Sequence, residues 1–314
     1  MKKLFMAAVL LLAVSVGYAC SICGCGGGNF YMGLVPNFKR QFIGVRYSYA
    51  EYHTSLINDP TQFSHNFYNT VEIWSGINIG KRWQVLAFLP YHYNVQVDDD
   101  MGRTIKNGFG DITVLGNYKL FDTRYLKNLP NRSSQQIWIG GGVKLPTGSF
   151  SVDVNDSTTT LADINAQIGT GSVDLFVNAR HEIRFDHFGI NSSVSYKIGL
   201  PNSQDYKYGN KLMLNSIAFY RINKKALTIT PNAGLAYENT ASNKLNGQKI
   251  YLSDGLNSGA YATGGYTLNA LAGAEITIKQ VTIGANMQLP LAQDFAAGQT
   301  KLNLKGMLHI SVAL

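Results

Sequence analysis

The chain has 314 residues, of which 27 are Lys or Arg and 19 are Asp or Glu, so its formal net charge is +8. Charged residues make up 15% of the chain, well below the roughly 25% of soluble globular proteins. The basic residues are scattered, which argues against nucleic acid as a partner and favours lipid headgroups and anionic solutes.

The first 19 residues predict an export signal. Lys2 and Lys3 precede a mostly apolar run over residues 4–16, and the small residues Gly17 and Ala19 suit cleavage by a leader peptidase. No later segment approaches the roughly 20 apolar residues that a transmembrane helix needs. We expect three regions: a signal peptide at 1–19, a Cys/Gly-rich periplasmic or plug segment at 20–40, and a single domain at 41–314.

All three cysteines, Cys20, Cys23 and Cys25, lie just after the predicted cleavage point. Cys20 is placed where a lipoprotein would be acylated, although Gly17 is not the aliphatic residue that usually precedes such a cysteine. Three free thiolates at this spacing would suit Cu(I) or Zn. A Cys20–Cys23 disulfide in the oxidising envelope is the third possibility. The sequence leaves all three open, and the fold requires no cofactor.

Alternation of apolar and polar residues runs from residue 42 to the C-terminus, which predicts strands with two different faces. Between Trp83 and Val97, odd-numbered positions are apolar or aromatic, whereas the even-numbered positions are polar except near the middle. Most of these runs exceed the roughly 9–11 residues of a tilted strand that crosses a bilayer. Twelve strands are predicted, near 41–53, 66–80, 83–97, 107–121, 135–146, 171–184, 188–200, 208–222, 227–238, 265–278, 281–291 and 302–314.

The predicted connections nearly alternate between long and short. Long ones fall at 54–65, 98–106, 147–170, 201–207, 239–263 and 292–301, short ones at 81–82, 185–187, 223–225 and 279–280, and only 122–134 breaks the pattern. Short turns at one end and long loops at the other are typical of an outer-membrane barrel. We therefore predict an all-β, antiparallel, up-and-down transmembrane barrel of about 12 strands in the cell outer membrane, with both termini in the periplasm.

Aromatic residues near the ends of these predicted strands suggest the interfacial girdles of such barrels. The set comprises Tyr49, Tyr52, Phe67, Tyr68, Trp83, Phe121 and Tyr237.

Three short motifs point to a family. NGFGDI at 107–112 and GGGVKLPTG at 140–148 resemble the G-x-G-D and G-x-K-x-P-T-G strand motifs of the outer-membrane family named for the MetA protein of phenol-degradation pathways. LVPNFK at 34–39, after the cysteines, resembles the start of an exported Bacteroidetes subset described simply as transporters. The resemblance implies a barrel that acts as a transporter or channel.

The glycines of these motifs have a physical reading. Gly140 and Gly142 share the parity of Lys144, so they would remove side-chain bulk from the inner face and let a neighbouring segment approach. Gly108 and Gly110 have the opposite parity to Asp111 and would thin the lipid face instead. Asp111 and Lys144 both fall on predicted inner faces, where they could form an ion pair across adjacent strands.

Charged residues and histidines of the predicted inner faces form the candidate lumen and substrate path. Acids and bases are mixed, which suits either a solvated, salt-bridged wall or a path for a polar or ionic solute. The set is Arg46, Glu72, His92, Asp111, Lys119, Lys144, Asp174, Arg180, Glu182, Lys197, Arg221, Glu238, Glu275, Lys305 and His309.

The function predicted first is a channel or transporter for a small solute, hydrophobic or anionic, in a membrane of lipid and lipopolysaccharide. The alternative is a metal-linked barrel whose N-terminal thiols bind Cu(I) or Zn. An outer-membrane lipid hydrolase is a further alternative, but none of the six histidines lies in a recognisable serine hydrolase motif, so no enzyme activity is expected. A structural or adhesive barrel that acts through its external loops also stays open.

Overall fold

The computed structural model describes residues 41–55, 63–98, 102–123, 133–155, 164–250 and 263–314. The predicted export signal and the segment at 20–40 lie outside these ranges. Lipidation, disulfide formation and metal binding at Cys20, Cys23 and Cys25 therefore stay predictions. No helix in the described ranges is long and apolar enough to cross a membrane.

Seventeen strands account for nearly all regular structure in the described ranges. In chain order they are β1 Phe42–Ser55, β2 Phe63–Ile79, β3 Trp83–Asp98, β4 Gly102–Phe109, β5 Thr113–Asp122, β6 Ser133–Lys144, β7 Asp174–Phe185, β8 Phe188–Gly199, β9 Tyr206–Lys207, β10 Lys211–Tyr220, β11 Ile222–Lys224, β12 Leu227–Thr240, β13 Lys244–Leu245, β14 Gln248–Lys249, β15 Gly265–Ile278, β16 Val281–Phe295 and β17 Thr300–Ala313.

Twelve of these strands close into an antiparallel barrel. Their order is β1, β2, β3, β5, β6, β7, β8, β10, β12, β15, β16 and β17, and pairing of β17 with β1 completes the circle. β4 pairs with the second half of β3 and leads into β5, and β11 follows β10 along β12. The closed sheet leaves no unpaired edge among these strands, as a lipid environment requires. The predicted fold class is confirmed.

The two faces of the barrel wall differ in the way that the alternation predicts. Large apolar side chains on the outer face are exposed, for example Ile73 at 48%, Val177 at 59% and Leu308 at 56%. Their sequence neighbours point inward and are polar or charged on most strands. Because a membrane rather than water surrounds such a wall, the exposed apolar band is stabilising.

The connections divide the barrel into a turn end and a loop end. At the turn end, β7 joins β8 and β15 joins β16 through two residues each, with Asp186 at φ 47° and Lys279 at φ 54°. At the loop end, two predicted long loops are wrong. β3 runs to Asp98 and β4 starts at Gly102, and β16 runs to Phe295 and β17 starts at Thr300. These strands project beyond the apolar band, where both of their faces can be polar, so their sequence resembles a loop.

The fourth predicted strand is broken. β4 ends at Phe109 and β5 begins at Thr113, and this break resets the alternation. The predicted outward position of Gly108 and Gly110 is therefore wrong. A side chain at Gly110 would collide with the inward-facing His92, and one at Gly108 would reach the buried Ile168. Both glycines, like Asp111, face the interior.

Two members of the predicted aromatic girdle also point inward. Tyr52 is 6% exposed and packs with Phe295 and Leu302, and Tyr68 lies against the same cluster. Both residues have even numbers, like the inward-facing Arg46 and Glu72 on the same strands. Nearness to a strand end does not show which face of the strand a residue occupies. Trp83 and Phe121 are exposed on the outer face, at 55% and 40%.

Three connections at the loop end pack together over the barrel. The loop cap, as we name it, comprises residues 145–155, 164–173, 200–210 and 241–250, including the small sheet of β9, β13 and β14. Its core is Tyr206 and Tyr208, both 0% exposed, with Val154 and Ile164. The Tyr208 hydroxyl donates to the Ile164 carbonyl at 3.2 Å. The cap thus has a hydrophobic core of its own.

Candidate functional site

The sequence-predicted lumen residues lie on the inner side of the barrel wall. Twelve of the fifteen are nearly fully buried, and Glu182, Arg221 and Glu238 are half-buried. Burial of so many ionisable groups is costly unless they are paired, and the structure brings most of them together in separate clusters.

The largest cluster joins β6, β7 and β8 to the break between β4 and β5, around Lys144. The Lys144 Nζ lies 2.6 Å from Asp111 Oδ2 and 3.2 Å from Asp174 Oδ2. Lys197 Nζ lies 3.4 Å from the same Asp174 oxygen. The predicted Asp111–Lys144 pair is therefore present, and it extends into an alternating row of two lysines and two aspartates, which we call the inner ion row.

The G-x-G-D and P-T-G motifs meet at Asp111. The Asp111 carboxylate accepts hydrogen bonds from Gly148 N at 2.9 Å, Thr170 N at 3.0 Å and Thr170 Oγ1 at 2.8 Å. The Thr147 hydroxyl donates to the Gly110 carbonyl at 3.1 Å and accepts from Ile112 N at 2.9 Å. These bonds link the break between β4 and β5 to the residues that follow β6. The motif residues therefore anchor the start and the end of the β6–β7 connection.

The end of that connection enters the barrel. The inserted segment, residues 164–172, is buried at every position except Gly171, which is half-buried. Ala166 lines a small cavity with inner-face residues of β2, β3 and β4. The volume of this cavity is about 10 Å³, room for one water molecule. Sequence patterns could not reveal Thr170 or Ser172 in this cluster, because the segment has no strand periodicity.

A second cluster surrounds Arg46. Its guanidinium pairs with Glu72 on the neighbouring strand and lies 5.6 Å from the Trp74 ring centre and 5.7 Å from that of Phe88. The two rings belong to a buried apolar group with Phe42, Leu86, Leu115 and Phe176. This part of the interior is thus filled by side chains, with the ion pair packed against aromatic faces.

Glu238 is shared by two lysines. Its Oε2 lies 2.8 Å from Lys211 Nζ, and its Oε1 lies 2.7 Å from Lys305 Nζ. Lys211 is not among the lumen residues predicted from the sequence. It lies two residues before the inward-facing Met213 on β10, so the alternation of faces could have identified it.

The remaining predicted residues are also placed on the inner side. Lys119 and Arg180 lie 4.7 Å and 5.2 Å from the ring centre of the buried Trp138, which the sequence set missed. Lys119 pairs with Asp122 at 3.3 Å. The ladder sets Glu182 beside the buried Asn191, and Arg221 lies 6.0 Å from the Phe219 ring centre.

Several inward polar atoms have no protein partner. Both amide atoms of Asn94 are buried and without a hydrogen bond, as are His92 Nε2 and Gln288 Oε1. His92 Nδ1 is bonded to the Thr70 hydroxyl at 2.9 Å. Buried polar groups are normally satisfied, so these atoms indicate an interior that water or a polar solute can enter.

The described residues offer little support for catalysis or metal binding. His309 Nε2 faces Glu275 at 3.7 Å and its Nδ1 has no partner, so His309 is not bonded to the nearby Ser311. No group of three or more His, Cys, Asp or Glu that could hold a metal occurs in the described ranges. The cysteines lie outside these ranges.

Comparisons with known proteins bear on the fold. No family model matches the sequence, and no curated protein sequence matches it. Among solved structures, the chain is similar to an outer membrane channel from Pseudomonas putida F1, with 13% identity and a TM-score of 0.60, over 88% of this chain and 96% of that one.

It is also similar to the transport unit of the autotransporter AIDA-I from Escherichia coli, with 8% identity and a TM-score of 0.50, over 93% and 96% of the two chains. At these identities the similarity shows the fold alone. Together with the closed wall and its apolar outer band, it identifies the chain as an outer-membrane β-barrel.

Proposed function

We propose that this protein is an outer-membrane channel for a small solute. The observation that carries the proposal is the lining of the closed barrel, where ionisable side chains and unpartnered amides face inward on most strands. A barrel that served only as an anchor could fill its interior with apolar side chains. An interior rich in hydrogen-bonding groups instead suits the passage of water and a polar or charged solute.

The solute would pass between the wall and the inserted segment. Ala166 of that segment lies against a stretch of wall that carries the polar residues Asn66, Asn94 and Lys106. The gap of about 10 Å³ admits water, so a larger solute requires displacement of the segment. We infer that the fifteen inward residues line the rest of the barrel interior that the solute crosses.

The motif resemblance to the family named for the MetA protein is part of the same proposal. The similar structure from Pseudomonas putida F1 is an outer membrane channel, which supports a transporter family of this kind. A transport role explains why the chain forms a barrel, and it does not require an enzyme activity.

Single-channel recording and liposome swelling test the proposal. We expect the purified protein to give discrete conductance steps and to admit small ions and amino-acid-sized solutes. The control is the same preparation after heat unfolding. Liposomes that remain sealed, together with a flat bilayer current, would refute a channel function.

A further inference from the structure

Two arginines face the interior at the turn end of the barrel without an ion pair. Arg184 lies near the end of β7, two residues after the inward Glu182, and is not among the lumen residues predicted from the sequence. Arg221 follows β10, two residues after the inward Phe219, and its backbone N–H donates to the His187 carbonyl at 2.7 Å. Both side chains are half-buried. Among the described residues, neither arginine forms an ion pair with a carboxylate, whereas the lysines of the inner ion row are paired.

The two arginines approach each other across β8. The ladder places Arg184 opposite Gly189, and it places Gly189 opposite Phe219. Because Gly189 has no side chain, the Phe219 ring occupies the space above it. The Arg221 guanidinium lies 6.0 Å from the centre of that ring and is near enough to Arg184 for the two charges to repel each other. The backbones of β7 and β10 are about 10 Å apart, twice the spacing of neighbouring strands, so two arginine side chains can converge on one group.

The carboxylates nearby do not bridge this pair. Glu182 and Glu275 attract Arg221 from a distance, but neither is within ion-pair reach of Arg221 or Arg184 in the described structure. Glu275 instead faces His309 at 3.7 Å. An anion between the two guanidiniums would accept charge-assisted hydrogen bonds from both and would turn their repulsion into attraction.

The inner wall beside the arginines is apolar. Phe219 packs with Ile217, Leu271 and Met307 in one cluster that extends from β10 across β15 to β17. Met307 is the member that can move aside most readily to admit a solute, because its side chain is unbranched and adaptable. A solute held at the arginines would therefore rest its other end against an apolar surface.

We propose that Arg184 and Arg221 form a subsite for monocarboxylates with an apolar body. The guanidinium fork matches a carboxylate in shape and charge, and the cluster around Phe219 receives the apolar part of the solute. The subsite rests on the proposed channel function, for which it specifies the class of solute. It lies at the turn end, so a solute that enters at the loop end meets it last.

Calorimetric titration of sodium benzoate into the full chain in detergent measures binding without transport. The variant is R184Q/R221Q. The control is K81Q/K225Q, which removes the same charge from exposed turns at the same end of the barrel. We expect benzoate to bind the wild type and the control, and its affinity for the variant to fall about tenfold or more, the effect of one lost charge-assisted hydrogen bond. Acetate should bind more weakly than benzoate because it lacks the apolar body, and neutral benzyl alcohol should not compete.

Bilayer recording gives the second readout. In a potassium chloride gradient, the reversal potential of the wild type and the control should show a preference for chloride, and that of the variant should shift toward potassium. Benzoate should reduce the current of the wild type at lower concentrations than that of the variant. Because repulsion is relieved, the variant should unfold at the same temperature as the wild type or higher.

The two readouts separate the subsite from the channel. Arginine-dependent benzoate binding in a protein that passes no current would support the subsite and refute the channel. Equal benzoate affinity of variant and wild type, with normal conductance, would overturn the subsite alone. Acetate that binds as tightly as benzoate would overturn the role of the apolar cluster, and a large loss of stability in the variant would show that the arginines are structural.

Discussion

A single carboxylate organises the most connected part of the interior. Asp111 receives two backbone N–H groups, one hydroxyl and the Lys144 ammonium, and it is 4% exposed. Each of these donors belongs to a different part of the chain from Asp111 itself. Loss of the carboxylate would therefore loosen the β6–β7 connection as well as the ion row.

A double-mutant cycle measures this coupling. Lys144→Met leaves Asp111 and Asp174 as buried carboxylates, and Asp111→Asn removes the charge that balances Lys144 most closely. Breaking a buried ion pair from one side costs about 3–5 kcal/mol. We expect the double variant to be about 1–3 kcal/mol more stable than the sum of the single losses predicts.

Urea unfolding in detergent provides the free energies. Lys81→Met, in the exposed turn after β2, is the control and should change little. Additive losses in the cycle would show that Asp111 and Lys144 act independently.

Parity along the strands predicted the inward charges, including Asp111 and Lys144, because a residue's face follows from its position in a regular strand. It failed at Gly108 and Gly110, where the break between β4 and β5 resets the count. Thr170 could not be found in this way, since it lies in a segment without regular structure and reaches Asp111 only through the folded connection.

At the scale of elements, the inserted segment determines how open the barrel is. At one end, Thr170 N donates a hydrogen bond to the Asp111 carboxylate, and at the other the Ile164 carbonyl accepts one from the Tyr208 hydroxyl. Between them, Gly169 lies against Gly148, where the two backbones are in contact. This close approach is possible only without side chains, so the glycine pair keeps the segment inside.

Gly169→Ala should displace the segment. The new Cβ would lie 2.8 Å from Gly148 Cα, closer than such atoms approach in proteins, and backbone atoms cannot move aside cheaply. We expect a higher single-channel conductance or a larger solute cutoff. Gly116→Ala is the matched control, because its Cβ meets nothing within 4 Å. Unchanged conductance in a correctly folded Gly169→Ala protein would mean that the segment does not limit passage.

At the scale of the whole molecule, the barrel was predictable because closure, strand number and apolar band all follow from a repeated two-residue pattern. The loop cap was not predictable, since its packing joins residues far apart in sequence that have no common period. Val154, Ile164, Tyr206 and Tyr208 illustrate this: they come from two connections and form one core.

The position of the membrane is set by the outer face, and two isoleucines on one strand can locate it. Ile73 lies near the middle of β2 and is 48% exposed, while Ile79 ends the strand beside the turn and is 58% exposed. Arginine on the lipid face costs about 2–4 kcal/mol at the bilayer midplane and about 0–1 kcal/mol near the interfaces. In lipid, Ile73→Arg should therefore destabilise the barrel much more than Ile79→Arg.

Reversible urea unfolding in vesicles gives the two values, and the same variants in detergent give a reference in which the surrounding apolar layer adapts to the protein. The difference between the sites should shrink in detergent, because a micelle can deform around a charge more readily than a bilayer. Equal costs at the two positions in vesicles would place both at the same depth, and the apolar band of β2 would then not span the membrane.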